Sequence, residues 1–156
     1  MLRSLGFALL PGLLFTLNCV ADEKQTEKRE SCTTSIDQPK QGENVGPDGN
    51  VSGRANTAPG TFAWILARKQ NINGWWPQSN GALEIKPDGT YSAYVTYGKD
   101  GDKGPFEVSA VIVDSAVNEA LNRWVDRANS TGQYPPLRFP NVHDGCTITK
   151  VVVNKQ

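Results

Sequence analysis

The feature that most constrains this chain is an apolar strand followed at once by an amphipathic helix. Residues 106–114 read FEVSAVIVD, and the second half of this stretch is almost entirely apolar. After it, apolar residues recur at helical spacing, at Val117, Leu121, Trp124, Val125 and Ala128. Asp114 or Ser115 is suited to cap the helix and Gly132 to end it, so the pattern predicts a helix over about 115–129. A helix with one apolar stripe must cover the apolar face of a sheet.

The turn KPDGT at 86–90 predicts a β-hairpin over residues 81–98. Pro87 suits a type I turn, and Gly89 suits the left-handed residue that completes a three-residue loop. This loop pairs Lys86 with Thr90 and collects apolar side chains on one face, namely Leu83, Ile85, Tyr91, Ala93, Val95 and Tyr97. A two-residue loop would mix the faces, so the hydrophobic pattern favours the three-residue loop. Tyr94 is then expected on the outer face.

The remaining segments predict strands. Residues 61–70, TFAWILARKQ, fit either a helix or a strand, and the run of Phe, Trp and Ile favours a strand. Residues 147–155 are rich in β-branched side chains, and the prolines within 133–141 exclude a helix there. The sequence therefore predicts an α+β fold, a small antiparallel sheet of four to five strands with the helix at 115–129 packed on one face.

The first 21 residues have the layout of a secretory signal peptide. Arg3 precedes an apolar run at 5–17, and small residues at 19 and 21 precede a cleavage point before Asp22. The alternative is a lipoprotein anchored at Cys19, which the preceding residues Thr-Leu-Asn disfavour. The protein is therefore expected to be secreted or periplasmic after cleavage, and the apolar run is too short to span a membrane.

Residues 22–60 contain few large apolar side chains. Such a stretch buries too little surface to offset the entropy lost on ordering, so it is predicted to be a flexible polar arm. The folded part is then a single α+β domain at 61–156.

Cleavage would leave two cysteines, Cys32 and Cys146. An even count in an exported chain predicts a disulfide between them. The mature chain would have 15 basic and 16 acidic side chains, because the leader carries Arg3 and no acid. This balance gives no basic surface for nucleic acid.

Enzymatic chemistry has one candidate pair in the sequence. His143 and Cys146 lie in VHDGC and suggest a small Cys/His hydrolase as an alternative function. A disulfide at Cys146 would remove the nucleophile, so catalysis is not expected. Three His and Cys residues would remain after cleavage, which is a poor set for zinc. No cofactor motif is found.

The most specific surface candidates are aromatic. Trp75 and Trp76 are neighbours, so on an extended backbone they point to opposite sides. Pro77 holds Trp76 extended where the chain approaches the sheet, which favours Trp76 inside and Trp75, beside Tyr94, as the contact surface. Tryptophan and tyrosine are enriched at binding surfaces.

The sequence therefore predicts a small exported non-enzymatic binding protein. Its expected partner is another protein, bound through the aromatic surface as an inhibitor or immunity-like protein would bind. A carbohydrate-binding module that uses Trp75 or Trp76 is the alternative, since tryptophan rings stack on sugars.

The export prediction is tested by the intact mass of the protein recovered outside the cytoplasm. We expect a chain that begins at Asp22, because residues 19–21 fit the cleavage pattern. A lipid-modified mass beginning at Cys19 would contradict this expectation.

Overall fold

The structure is a computed structural model that describes residues 32–156. The predicted signal peptide at 1–21 and the first ten residues of the predicted arm lie outside these described residues. The elements in chain order are β1 Thr33–Thr34, β2 Asn44–Val45, β3 Asp48–Asn56, β4 Thr61–Lys69, β5 Trp76–Pro77, β6 Thr90–Thr96, β7 Gly104–Asp114, α1 Ser115–Thr131 and β8 Thr149–Lys155.

The strands form two sheets, where the sequence predicted one. A three-stranded sheet has the order β1-β3-β6, and a five-stranded sheet has the order β2-β8-β7-β4-β5. All pairings are antiparallel except β2 with β8, which is parallel. The fold is thus mixed and roughly α+β, as predicted, but the number of sheets was wrong. Its layers are sheet, sheet and helix.

Strand β4 is buried on both faces, which explains its continuous apolar sequence. Ala63 and Ile65 belong to the core between the two sheets, whereas Trp64 and Leu66 belong to the core beneath α1. The strand pairs with β7 along its whole length, from Thr61 opposite Asp114 to Lys69 opposite Phe106. A short apolar run between turn residues is typical of such a doubly covered strand.

The helix confirms the prediction closely. The side chain of Asp114 accepts a hydrogen bond from Val117 N at 2.8 Å, and Gly132 ends the helix in the left-handed conformation with φ 68°. Asn118, a polar residue of the helix, is buried, and its Oδ1 accepts a hydrogen bond from Trp64 Nε1 at 3.0 Å. No helix within residues 32–156 is both long enough and apolar enough to cross a membrane.

The predicted hairpin is correct in its turn and wrong in its strand pairing. Lys86 N donates to Thr90 O at 2.9 Å, and Gly89 has φ 82°, as a three-residue loop requires. Residues 81–85 are not a strand, however, and β6 pairs with β3 instead. Strand β3 offers a longer partner, while Leu83 N donates to Ala63 O of β4 at 2.8 Å. Tyr94 lies on the outer face, as expected.

The expected flexible arm at 22–60 differs from the structure in its described part, because residues 33–56 carry three strands. These residues are ordered by long-range contacts and not by a large apolar content of their own. Val51 and Ala55 are buried in the core between the sheets. Gly53 allows a close backbone approach, since a Cβ there would lie 2.0 Å from Ser35 O. Tyr91 Oη, at the same place, donates to Ser35 O at 2.6 Å.

The disulfide between Cys32 and Cys146 is confirmed. It joins residues 114 positions apart, with Cα atoms 4.7 Å apart. It therefore ties the beginning of the described chain to the segment that precedes β8. Thr147 N reinforces this junction by donating to Cys32 O at 3.2 Å.

The close approach at Gly53 generates a testable prediction. Gly53→Ala should lower the free energy of unfolding by about 2 kcal/mol or more, because the added methyl group collides with backbone. Gly49→Ala is the matched control on the same strand, since nothing lies within 4 Å of a Cβ there, and it should change stability by less than about 0.5 kcal/mol. Urea titration of both variants measures the difference, and equal stability would contradict the contact.

Candidate functional site

The two neighbouring tryptophans do point to opposite sides, but in the reverse of the favoured order. Trp75 is 5% exposed, whereas Trp76 is half-buried. The prediction that Trp76 is the inner residue and Trp75 the surface residue was wrong. Pro77 itself is buried, so the inward positions are 75 and 77, and Trp76 between them faces the other way.

Long-range pairing fixes this arrangement. Trp75 exchanges two backbone hydrogen bonds with Leu137, at 2.8 and 2.9 Å, and Trp76 lies opposite Ala67 of β4. Trp75 thereby packs in the core under the helix, with its ring edge-on to Phe139 at a centroid distance of 4.9 Å. The two partners of Trp75, Leu137 and Phe139, are distant from it in sequence.

A charged cluster lies against the buried ring of Trp75. Glu107 accepts from Arg68 at 2.6 Å and pairs with Lys150 at 2.9 Å, and both cations lie over the ring, at 4.6 and 5.2 Å from its centroid. Burial would raise the pKa of Glu107, but the hydrogen bonds from Lys150 and Arg68 outweigh burial and lower it. The carboxylate is therefore charged at neutral pH.

Trp76 is held by its indole nitrogen. Trp76 Nε1 donates to Tyr134 O at 2.8 Å, and Trp124 Nε1 donates to Pro135 O at 3.1 Å. Two consecutive carbonyl groups of the proline-rich segment thus anchor two tryptophans. The ring of Trp124, predicted as core, is only half-buried.

Gln78 connects the edges of the two sheets next to Trp76. Its backbone N–H donates to Ile65 O of β4 at 2.9 Å, and its Oε1 accepts from Thr96 N of β6 at 2.9 Å. Ser79 N donates to Tyr94 O at 3.2 Å. The exposed Tyr94 is thereby brought to the same edge as Trp76. A hydrogen bond to Asp48 raises the pKa of Tyr94.

These elements enclose an aromatic groove of about 870 Å³ along the edge formed by β5 and β6. Of the predicted binding residues, Trp76 and Tyr94 line it, whereas Trp75 does not. Its aromatic and aliphatic lining also includes Ile72, Trp124 and Tyr134. The described residues expose four large hydrophobic side chains, and three of them lie here, Ile72 at 44%, Tyr94 at 55% and Tyr134 at 53%.

Sequence reasoning missed Tyr134 and Ile72 as part of this surface. Tyr134 precedes two prolines, which signalled only an extended backbone, and Ile72 stands alone in a polar loop. Trp124 lay on the apolar stripe of the helix, so periodicity assigned it to the core. The groove joins segments that the sequence separates.

The Cys/His pair is not arranged for catalysis in the structure. The sulfur of Cys146 is bonded to Cys32, so it is not a nucleophile. Cys146 N donates to His143 O at 3.1 Å, which closes a turn ahead of β8. Within residues 32–156, no three His, Cys, Asp or Glu side chains are grouped so as to hold a metal ion.

Comparison with known proteins gives only weak likenesses. No family model matches the sequence, and no curated protein matches it. Among solved structures, the twitchin kinase region from C. elegans shares 14% identity at a TM-score of 0.34, covering 81% of this chain and 16% of that one. Murine CRIg shares 11% identity at a TM-score of 0.31, covering 79% of this chain and 96% of that one. This chain thus spans a small part of the twitchin region.

The different burial of the two tryptophans predicts different effects of truncation. Trp75→Ala should lower the free energy of unfolding by about 3–5 kcal/mol, because it empties a packed core site. Trp76→Ala should cost about 1–2 kcal/mol, since the half-buried ring loses one hydrogen bond and part of its contacts. Denaturant midpoints of both variants test this, and an equal loss or the reverse order would contradict the structure.

Proposed function

We propose that this protein is a small exported non-enzymatic domain that binds another protein through the aromatic groove. The main support is the concentration of exposed apolar side chains. The described residues expose four large hydrophobic side chains, and three of these line this one groove. Exposed apolar side chains that cluster in this way mark interaction sites more often than scattered ones do. Their aromatic character supports the same proposal.

The predicted inhibitor or immunity-like role is carried forward with its contact residues revised. Trp76 and Tyr94 remain as proposed contacts, and Trp75 becomes the residue that positions Trp76. Its pairing with Leu137 fixes the backbone that presents Trp76. The disulfide in the structure supports an oxidising compartment such as the cell exterior or periplasm. Rigid aromatic side chains on a fixed edge lose little entropy when they bind.

A carbohydrate ligand is the second candidate, favoured by the amide side chains around the aromatic rings. Asn80 and Asn129 line the groove beside Trp76. A sugar stacked on this ring would shield its fluorescence from a soluble quencher. Such shielding by neutral sugars, with no protein captured, would favour the carbohydrate function over the proposed one.

The experiment captures partners from the extracellular or periplasmic fraction on the immobilised protein. Trp76→Ala and Tyr94→Ala should each weaken capture by about 30-fold, as expected for interface anchors worth about 2 kcal/mol. Ile148→Ala is the matched control, because Ile148 is exposed at 46% but does not line the groove. Equal capture by all three variants would contradict the proposal.

A further inference from the structure

The charges around the aromatic groove are unbalanced, although the whole chain is neutral. The sequence has 16 basic and 16 acidic residues, whereas the charged lining consists of Arg68, Lys69, Lys99 and Asp102. Three cations therefore face one carboxylate. The imbalance is local and lies beside the apolar side chains described above.

The nearby carboxylates are already occupied. Asp102 pairs with Lys69 at 2.9 Å and accepts a hydrogen bond from Lys99 N at 2.8 Å. The hydrogen bond from the Lys99 backbone is the larger cause and the one from the Lys69 side chain the next, and together they lower the pKa of Asp102. Arg68 shares its carboxylate, Glu107, with Lys150. Among the charged residues that line the groove, Lys69 is thus paired with Asp102 and Arg68 with Glu107, which leaves Lys99 as the lining cation without a carboxylate partner in the described part of the chain.

Lys99 carries the charge that is most available to a ligand. Its backbone is fixed, because Lys155 Nζ donates to Lys99 O at 2.8 Å and to Tyr97 O at 2.7 Å. Its side chain makes no ion pair or hydrogen bond in the described part of the chain. A fixed backbone with a free ammonium group suits a contact with an incoming anion.

The apolar and basic parts follow one another along the groove. Tyr94 lies near the end of β6, and Lys99 lies in the loop that follows β6. Five positions separate them, so at about 3.3 Å per residue their Cα atoms lie at most about 17 Å apart, the length of up to five residues of an extended peptide. Ile72 adds an aliphatic surface, which suits an apolar side chain better than a sugar ring.

We infer that the aromatic groove binds an extended acidic segment of the partner protein. This inference rests on the proposed function and specifies its partner. An apolar or aromatic side chain of the segment lies between Trp76, Tyr94 and Tyr134. An Asp or Glu two to five residues away lies against Lys99. Charge complementarity of this kind adds specificity and accelerates association.

The test selects from a displayed library of random heptapeptides on the purified, oxidised protein. Selected sequences should combine an aromatic or aliphatic residue with Asp or Glu within two to five positions. For a selected peptide made synthetically, Lys99→Gln should weaken binding by about two- to fivefold, as expected for one exposed charge pair. Lys103→Gln is the matched control from the same loop, because Lys103 is exposed and does not line the groove. Its binding should be unchanged.

The outcomes separate this inference from the proposed function. The acidic segment would be overturned by selected peptides that lack acidic residues, or by equal binding of a peptide to the Lys99 and Lys103 variants. In that case, loss of peptide binding in Trp76→Ala would still support the groove as the binding site. Peptides that bind Trp76→Ala as well as the native protein would overturn the proposed function itself. Enrichment of no peptide, together with binding of acidic oligosaccharides, would replace the protein segment with an acidic glycan and contradict the inference.

Discussion

The rest of the structure depends on the pairing of β4 with β7 and on the need to cover both faces of that pair. Each strand is apolar on both sides, so neither face can remain in water without a large cost in free energy. The three-stranded sheet covers one face and the helix covers the other. Asp114 joins β7 to the helix without an intervening loop, which brings the helix back over its own sheet.

The aromatic groove is a consequence of how this doubly covered sheet ends. Beyond β4 the sheet has only the two-residue strand β5, and the following segment passes from one sheet edge to the other through Gln78. Alternation along 75–77 places Trp75 and Pro77 inward and leaves Trp76 at the edge. The same segment holds Tyr94 of β6, because Ser79 N donates to Tyr94 O. The proposed contact surface is therefore built on backbone that the fold already needs.

The parts of the fold that were predictable depend on local chemistry. The helix was recognisable because its cap, its apolar stripe and the glycine that ends it all lie in one continuous segment from Asp114 to Gly132. The loop at 86–90 and the outer position of Tyr94 followed from turn residues and alternation. The disulfide followed from the cysteine count. Each of these inferences needs only neighbours in sequence or a single pairing.

The parts that were not predictable depend on contacts between distant segments. Residues 33–56 are ordered because the backbone at Gly53 packs against Ser35 and the side chain of Val51 is buried between the two sheets. The composition of the segment does not reveal these contacts, so composition alone predicted a flexible arm. The burial of Trp75 requires Leu137, and the burial of Asn118 requires Trp64 as a hydrogen-bond donor. Periodicity gave the alternation of Trp75 and Trp76 but not its phase, because the pairing that sets the phase is non-local.

The central claim is that Trp76 is presented at the groove while Trp75 holds the edge from inside. Fluorotryptophan-labelled protein should give four fluorine resonances, one for each tryptophan, assignable by Trp→Phe substitution. A soluble paramagnetic agent should broaden the Trp76 resonance more than that of Trp75, and Trp64 should be affected least because it is fully buried. Stronger broadening of Trp75 than of Trp76 would contradict the account.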